Sequence, residues 1–460
     1  MPGRDLVVCG DVGSTCTKVA VVDVGAGELV ASAEHPTTVG TDVLDGLDAV
    51  LGRLAGECPD ADLSPVRVCS SAGGGLRLAV VGYEALVTAE AGHRVGLSAG
   101  AKVVHVHAGR LDDASAAELL RARPDVLLLV GGADGGDREV LTHNAVRVGA
   151  SEWAAPVVVA GNVDAWPDAA AALDGKTVLR ADNVLPRIGE LAPASARSAI
   201  REVFLSHVIG GKGLSRGSRF TQLVRCATPE AVLTAVELLA DVPWRGSEPH
   251  GSEPRQVAAV DVGGATTDVY SVLTPDPERA GPRAPAAGTL WRSRTVEGDL
   301  GTRQSAPGVV QAAASEGLLR PGEQARLRAA AAAAAAPVAA GRPVPASPAD
   351  QRLAELAMVV ALRRHARGER VGGPDTPRLG GKDLRRVDLL IGSGGALRHS
   401  TSGVRALAAA ARDHAGGWPL PERAVHTIDI RYVLAAAGLL AGDHRGAASR
   451  LLADAFLGTK

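Results

Sequence analysis

The chain has 460 residues, 46% hydrophobic but only 2% aromatic, with 49 Lys plus Arg against 51 Asp plus Glu and a formal net charge of −2. That length supports two or more domains with cores of Ala, Val and Leu, and the balanced charge argues against a nucleic-acid surface as the main purpose. Five scattered cysteines, never spaced Cys-x-x-Cys, read as reduced thiols, and the absence of a signal peptide after Met1 makes a cytoplasmic protein the expectation.

Leu6–Cys9, Lys18–Asp23 and Leu29–Glu34 predict a strand meander, followed by a helix from Asp42 to about Gly56 with Val43, Leu47, Val50, Leu51 and Leu54 at helical spacing. Val66–Ser70 and Arg77–Val81 predict two more strands around Gly73-Gly74-Gly75. The character then changes. Helices over Glu84–Ala101, Asp113–Ala122, about Asp137–Val148 and Asp164–Leu173 alternate with strands at Val103–Val106, Val126–Val130, Val157–Ala160 and Thr177–Arg180. Alternation at this pitch predicts an inserted parallel α/β unit. Helices at Pro193–Ile209 and Pro229–Ala240 lead out of it, and Arg245–Pro254 reads as an exposed linker. A second strand-rich core opens at Val257. Pro275–Gly288 reads as a long loop, and the tract from Ala325 to Pro348 starts as helix and ends as connector. Arg352–Arg367 reads as helix, Val387–Ile391 as strand and Arg431–Ala441 as a late helix. The alanines 329–336 are too few to span a bilayer.

One phrase occurs twice. Asp11-Val12-Gly13-Ser14-Thr15-Cys16-Thr17-Lys18 and Asp261-Val262-Gly263-Gly264-Ala265-Thr266-Thr267-Asp268 each lie between two apolar stretches. A Gly/Ser/Thr turn between strands presents amides and hydroxyls to an anion, and one Asp per turn could hold a divalent cation through water. A single copy is more often a plain hairpin; two copies separated by a domain point to a clamp around a nucleoside triphosphate. A third element follows strand 387–391: Gly392-Ser393-Gly394-Gly395-Ala396-Leu397-Arg398-His399, a glycine turn at a presumed helix start that can take adenosine or phosphate at close range. A Rossmann fingerprint would need glycine at Leu397, and the plain alternative is a tight strand-to-helix joint.

These three pieces, in this order, resemble the actin, Hsp70 and sugar-kinase ATPase superfamily, whose phosphate-contacting lysine Lys18 matches by its spacing from Asp11. Ser71–Gly75, Thr88–Ala91, Gly131–Gly136, Pro156–Asn162 and Arg294–Gly301 look like the glutamate mutase accessory family, often labelled MutL, from Asp5 to about Gly442. The resemblance implies an α/β fold of two ribonuclease-H-type lobes around an ATP cleft. The lobes fall at 1–102 and 255–460, with an inserted α/β subdomain at 103–190 and a helical connector and linker at 191–254. It also implies ATP and Mg²⁺ as ligands and an adenosylcobalamin-dependent carbon-skeleton mutase as partner, which the chain would reactivate or chaperone.

In that frame Asp11 and Asp261 would hold hydrated Mg²⁺, while Ser14, Thr15, Lys18, Gly13, Gly263, Gly264 and Thr266 would bind phosphate oxygens. Asp261 or Asp268 would orient the attacking water, and Gly392, Gly394 and Gly395 would bracket adenosine. A small-molecule kinase of the same superfamily and a nucleotide-dependent scaffold without significant hydrolysis are the alternatives; an iron–sulfur dehydratase activator lacks the cysteines. Gly131–Gly136 reads more often as a loop at a sheet edge than as a second anion site. Glu297 and Asp299 have no assigned place, and His105 with His107 read as partly exposed side chains rather than a metal pair.

Overall fold

The structure, a computed structural model, describes residues 5–59, 62–211, 213–243, 255–274, 292–336, 347–370, 378–379, 381–413 and 415–458. β1 (Leu6–Val12) is buried at every position, as an apolar run paired on both edges must be. It runs antiparallel to β2 (Cys16–Asp23), which pairs antiparallel with β3 (Glu28–Pro36). α1 (Val43–Glu57) then crosses over and delivers β4 (Val66–Ser70) parallel to β1. The Asp42 side chain caps α1 by accepting from the Leu44 amide at 2.9 Å. Val43, Leu47, Val50 and Leu54 bury its inner face, each large side chain contributing about 1.5–3 kcal/mol.

The chain now leaves this sheet. β5 (Arg77–Gly82), α2 (Thr88–Ser98), β6 (Lys102–Ala108), α3 (Asp113–Arg121), β7 (Val126–Leu129), α4 (Glu139–Gly149), β8 (Val157–Val159), α5 (Trp166–Ala172) and β9 (Val178–Arg180) form a parallel sheet ordered β6-β5-β7-β8-β9. This is a doubly wound order, with apolar side chains packed on both faces. The sheet takes in β5 and α2, upstream of residue 103 where the sequence reading began the insertion. The reason is that Leu78, Ala79, Val80 and Val81 are apolar on both faces, which suits an interior strand paired on both edges. α6 (Ala194–Val203) passes into a π-helical turn, Phe204–Ile209, where the sequence predicted one continuous helix. After α7 (Arg219–Leu223), β10 (Val224–Ala227) returns to pair parallel with β4 from within the stretch read as connector, so the first sheet is β10-β4-β1-β2-β3.

Past α8 (Thr228–Asp241) the plan repeats. β11 (Val257–Val262), β12 (Thr267–Val272) and β13 (Arg292–Glu297) form an antiparallel meander. α9 (Ala306–Ser315), α10 (Glu323–Ala335) and α11 (Pro348–Arg367) follow, the last capped by a reciprocal Ser347–Asp350 box. β14 (Glu369–Arg370) and β15 (Arg378–Leu379) make a short ladder. β16 (Leu389–Ser393) pairs parallel with β11; past α12 (Gly395–Arg398) and α13 (Gly403–Ala411), β17 (Val425–Ile428) pairs parallel with β16. The second sheet is β13-β12-β11-β16-β17, the same order and directions as the first. The molecule is therefore the expected α/β protein of two like lobes with a parallel α/β insertion.

α8, α14 (Val433–Leu440) and α15 (Arg445–Phe456) form a layer whose apolar side chains cluster with Val7, Cys9 and Val22 of the first sheet and with Val257, Ala259 and Ile391 of the second. The lobes thus share a core below the cleft. The linker 245–254, the loop 275–288 and the end of the alanine tract at 337–346 lie outside the described residues. Among the described residues no helix is long and apolar enough to cross a membrane.

Candidate functional site

Each copy of the repeated phrase is the hairpin between the first two strands of a lobe. Both turns close in the same way: the Gly13 amide donates to the Cys16 carbonyl at 3.1 Å and the Gly263 amide to the Thr266 carbonyl at 2.9 Å. A Cβ would stand 2.8 Å from Cys16 O at Gly13 and 2.9 Å from Thr266 O at Gly263, so the turn admits only glycine there. Among the described residues, the amides of Ser14, Thr15, Gly264 and Ala265 donate no hydrogen bond, which leaves oriented donors for an anion. The carbonyls of the second turn are tied down from behind: Gly263 accepts from Thr302, Gly264 from Arg303 and Gln304, and Ala265 from the Ser305 hydroxyl. The turns face each other at contact distance, because a Cβ on Gly264 would stand 2.8 Å from Thr15 Cγ2.

Between them lies a cavity of about 550 Å³. Asp11, Gly13, Ser14, Thr15 and Lys18 line it from the first lobe; Asp261, Gly263, Gly264, Thr266, Asp268, Gly394 and Gly395 line it from the second. Gly394 has φ +98°, and a Cβ there would stand 2.2 Å from Val262 O, so the third loop lies against the end of β11. Gly392 is the exception among the expected residues. It sits inside β16, where a Cβ would meet Ile428 Cδ1 at 2.6 Å and Leu397 Cδ1 at 3.0 Å, so packing beneath the loop and not the cleft explains this glycine.

Strand register places the charges. Asp11 pairs with Lys18 across β1–β2, and Asp261 with Asp268 across β11–β12. Lys18 Nζ lies 3.0 Å from Asp11 Oδ2 and 4.5 Å from the Tyr432 ring centre, while the Thr228 hydroxyl donates to Asp11 Oδ1 at 2.6 Å. Burial works against the Lys18 charge, but Asp11, then Tyr432 and Asp261, hold its pKa well above the usual lysine value. Burial is also the largest effect on Asp261; Lys18 opposes it, Asp268, Asp11 and Asp429 reinforce it, and the carboxyl is pushed up to about 6. Among the described residues Asp261 accepts no hydrogen bond from a side chain or amide. Asp268 is held: Arg294 Nε donates to its Oδ1 at 2.8 Å and the Thr266 hydroxyl to its Oδ2 at 3.0 Å.

Sequence reasoning gave no cleft role to Thr228, Lys102, Arg294, Arg303, Asp350 or Tyr432, all of which line the cavity. Of these, Arg294 stood inside the quoted stretch Arg294–Gly301, and Gly74 and Gly75, also in the lining, inside Ser71–Gly75. Glu297 and Asp299 are both clasped by Arg364, with contacts of 2.6, 2.7 and 2.9 Å. The 131–136 loop is pinned from within: Asn183 binds Gly132 O and Asp134, and Asn162 binds Gly136 O. The cysteines are free thiols, and burial pushes Cys9 up to about 12, well away from reactivity. Among the described residues no group of three or more His, Cys, Asp and Glu could hold a metal ion directly, His105 and His107 included.

The family model described as "MutL protein" matches residues 7–456 of this chain. Protein MutL of Clostridium tetanomorphum is 32% identical over 459 residues, covering 96% of this chain and 97% of that protein. Solved structures also align along the chain. Acetone carboxylase in its nucleotide-free form gives 14% identity over 96% of this chain and 71% of that one, with a TM-score of 0.40. A glycerol dehydratase reactivase gives 14% over 96% and 100%, TM-score 0.34. The activator of 2-hydroxyisocaproyl-CoA dehydratase from Clostridium difficile, with bound ADPNP, gives 10% over 96% and 95%, TM-score 0.30.

Proposed function

The chain belongs to the MutL protein family, and from that premise we propose that it is an ATP-binding and ATP-hydrolysing accessory factor that reactivates or chaperones an adenosylcobalamin-dependent carbon-skeleton mutase such as glutamate mutase. The observation that carries the nucleotide part is the pair of opposed glycine turns with undonated amides across one cavity. The amides of Ser14, Thr15, Gly264 and Ala265 supply hydrogen bonds to a polyphosphate, and the Lys18 ammonium adds a charge-matched donor; the Thr266 hydroxyl, which donates to Asp268, would reach phosphate only by turning from it. Gly394 and Gly395 offer bare backbone to adenosine.

The carboxylates fit a hydrated divalent cation. Asp261 has no donor of its own among the described residues, and it shares the cleft floor with Asp11 and Asp268, an excess of negative charge that raises its pKa. Asp261, with Asp11 through water, would hold Mg²⁺, which when bound offsets phosphate charge and orders water. Asp268, fixed by Arg294 and Thr266, would orient a water molecule for attack on the terminal phosphorus; its restraint favours it over Asp261 for that role. Closure of the lobes on the triphosphate and opening after its cleavage would change what the inserted subdomain presents to a partner, since a ligand shifts only states it binds unequally.

The test is phosphate release by the purified chain, with and without a cobalamin mutase, together with co-purification and release of inactivated cofactor in both nucleotide conditions. Turnover and ATP-dependent complex formation are expected, both lost in Asp261→Asn. Phosphate passed to a small metabolite hydroxyl would establish the kinase alternative, and tight ATP binding with no turnover the scaffold. Unchanged hydrolysis by a folded Asp261→Asn would overturn the mechanism.

A further inference from the structure

Arg294 stands on β13, away from all three glycine loops, and its guanidinium makes contacts in two parts of the molecule. Nε donates to Asp268 Oδ1 at 2.8 Å and Nη2 lies 2.5 Å from the same oxygen. Nη1 donates to the Ala101 carbonyl at 3.2 Å. Ala101 is fully buried and joins α2 to β6, at the root of the inserted subdomain. The next residue, Lys102, lines the cleft and reaches β13's end: a Cβ on Gly298 would stand 2.3 Å from its Nζ. Arg294 itself is 5% exposed, with its guanidinium 6.0 Å from the Tyr270 ring centre.

A buried arginine with one arm on a carboxylate and another on a backbone carbonyl is a rigid link, because its planar fork fixes the angle between the arms. We infer that Arg294 is the positioning residue that holds Asp268 aimed into the cleft, and that it couples the nucleotide site to the inserted subdomain through Ala101. The inference rests on the proposed ATPase reading. It goes beyond it by naming the route from the nucleotide cleft to the insertion. Any rotation of the insertion against the second lobe must either break the Arg294–Ala101 bond or move Asp268 with it.

The charged and titratable groups that face Asp268 are Asp261 on β11, Tyr270 on β12 and Arg294 on β13. Removing the guanidinium leaves Asp268 beside Asp261 without its adjacent cation and without the contacts that fix the direction of its carboxylate.

The experiment compares the full chain with Arg294→Met and Arg294→Lys. It measures kcat and KM of ATP hydrolysis and nucleotide-dependent hydrogen exchange over residues 98–106. In Arg294→Met kcat is expected to fall about tenfold or more with KM little changed, and the ATP-dependent change in exchange at 98–106 is expected to vanish. Arg294→Lys keeps the charge beside Asp268 and restores part of kcat, but one ammonium cannot span both partners, so the exchange response stays weak. If Arg294→Met does not fold, the lysine variant decides alone: a parent-like exchange response would overturn the coupling. A folded Arg294→Met with the parent's kcat would overturn the positioning role. A parent that binds ATP without turnover defeats the hydrolysis reading instead, and exchange still decides the coupling; a parent that binds no nucleotide removes both.

Discussion

Asp261→Asn separates the needs of the cleft from those of the fold. Folding moves the Asp261 carboxyl from its ordinary value of 3.8 up to about 6, so the folded chain binds this proton more tightly than the unfolded chain does. The raised value means that ionising Asp261 opposes folding. The penalty is absent below 3.8, grows as pH rises from there to about 6, and is complete above. A shift of two units at about 1.4 kcal/mol each gives roughly 3 kcal/mol, which screening at this half-buried position reduces to about 2. The amide has nothing to ionise. Urea unfolding without nucleotide should therefore find Asp261→Asn more stable than the parent by about 2 kcal/mol at pH 8, with the gap closing as pH falls through 6 and gone by about pH 4. The same variant should hydrolyse no ATP. A residue whose loss strengthens the empty fold and abolishes turnover is held against stability for function. A variant no more stable than the parent at pH 8, or a gap independent of pH, would refute the electrostatic account of the cleft.

Lys18→Met should destabilise by about 3 kcal/mol, because it strands the buried Asp11 carboxylate with Thr228 and Cys69, and adding Asp11→Asn should recover much of the loss in the same unfolding assay. Gly264→Ala should weaken ATP binding measured by calorimetry, and Thr15→Ser should restore part of it by removing the methyl that the new Cβ meets at 2.8 Å; no rescue would mean that the turns do not oppose each other as described. Gly392→Ala should lower stability by about 1–3 kcal/mol while the folded fraction keeps its ATP affinity, whereas Gly394→Ala, strained at φ +98° and set against Val262 O, should lose that affinity.

The sequence was most legible where a local rule suffices. An apolar run before and after Asp-x-Gly can hardly be anything but a strand pair, and both hairpins are found as expected. Alternation of 3.6 and uninterrupted apolar runs gave the inserted unit, but not its first strand, since β5 reads equally well as a member of either sheet until pairing is known. β10, β13 and β17 went unread for a related reason: Val224–Ala227 and Val425–Ile428 are four residues long, and Arg292–Glu297 carries two arginines where an apolar pattern was sought. The same strand shows why half of the site was missed. Arg294 and Thr228 reach Asp268 and Asp11 through strand and helix packing across 26 and 217 positions of chain, a relation no spacing rule contains. Gly392 misled in the opposite way, because a glycine needed for packing is spelled like one needed for a ligand.

The duplication also explains why the lobes do not share the chemistry equally. Lys18 and Asp268 occupy the same register position, opposite Asp11 and Asp261. In the first lobe that position completes an ion pair, with Asp11 satisfied by Lys18 and Thr228. In the second it adds a second carboxylate, and the balancing cation comes instead from β13 as Arg294. The consequence is one closed half and one open half. On the proposed reading the first lobe would donate to phosphate without rearranging its own charges, whereas the second holds the Asp261 carboxyl with no hydrogen bond among the described residues and Asp268 restrained by Arg294 and Thr266. Water orientation and most of the cation binding would on that reading fall to the second lobe, with Asp11 reaching the cation through water. It is that lobe, through the arginine replacing the first lobe's lysine as counter-charge, that touches the root of the inserted subdomain.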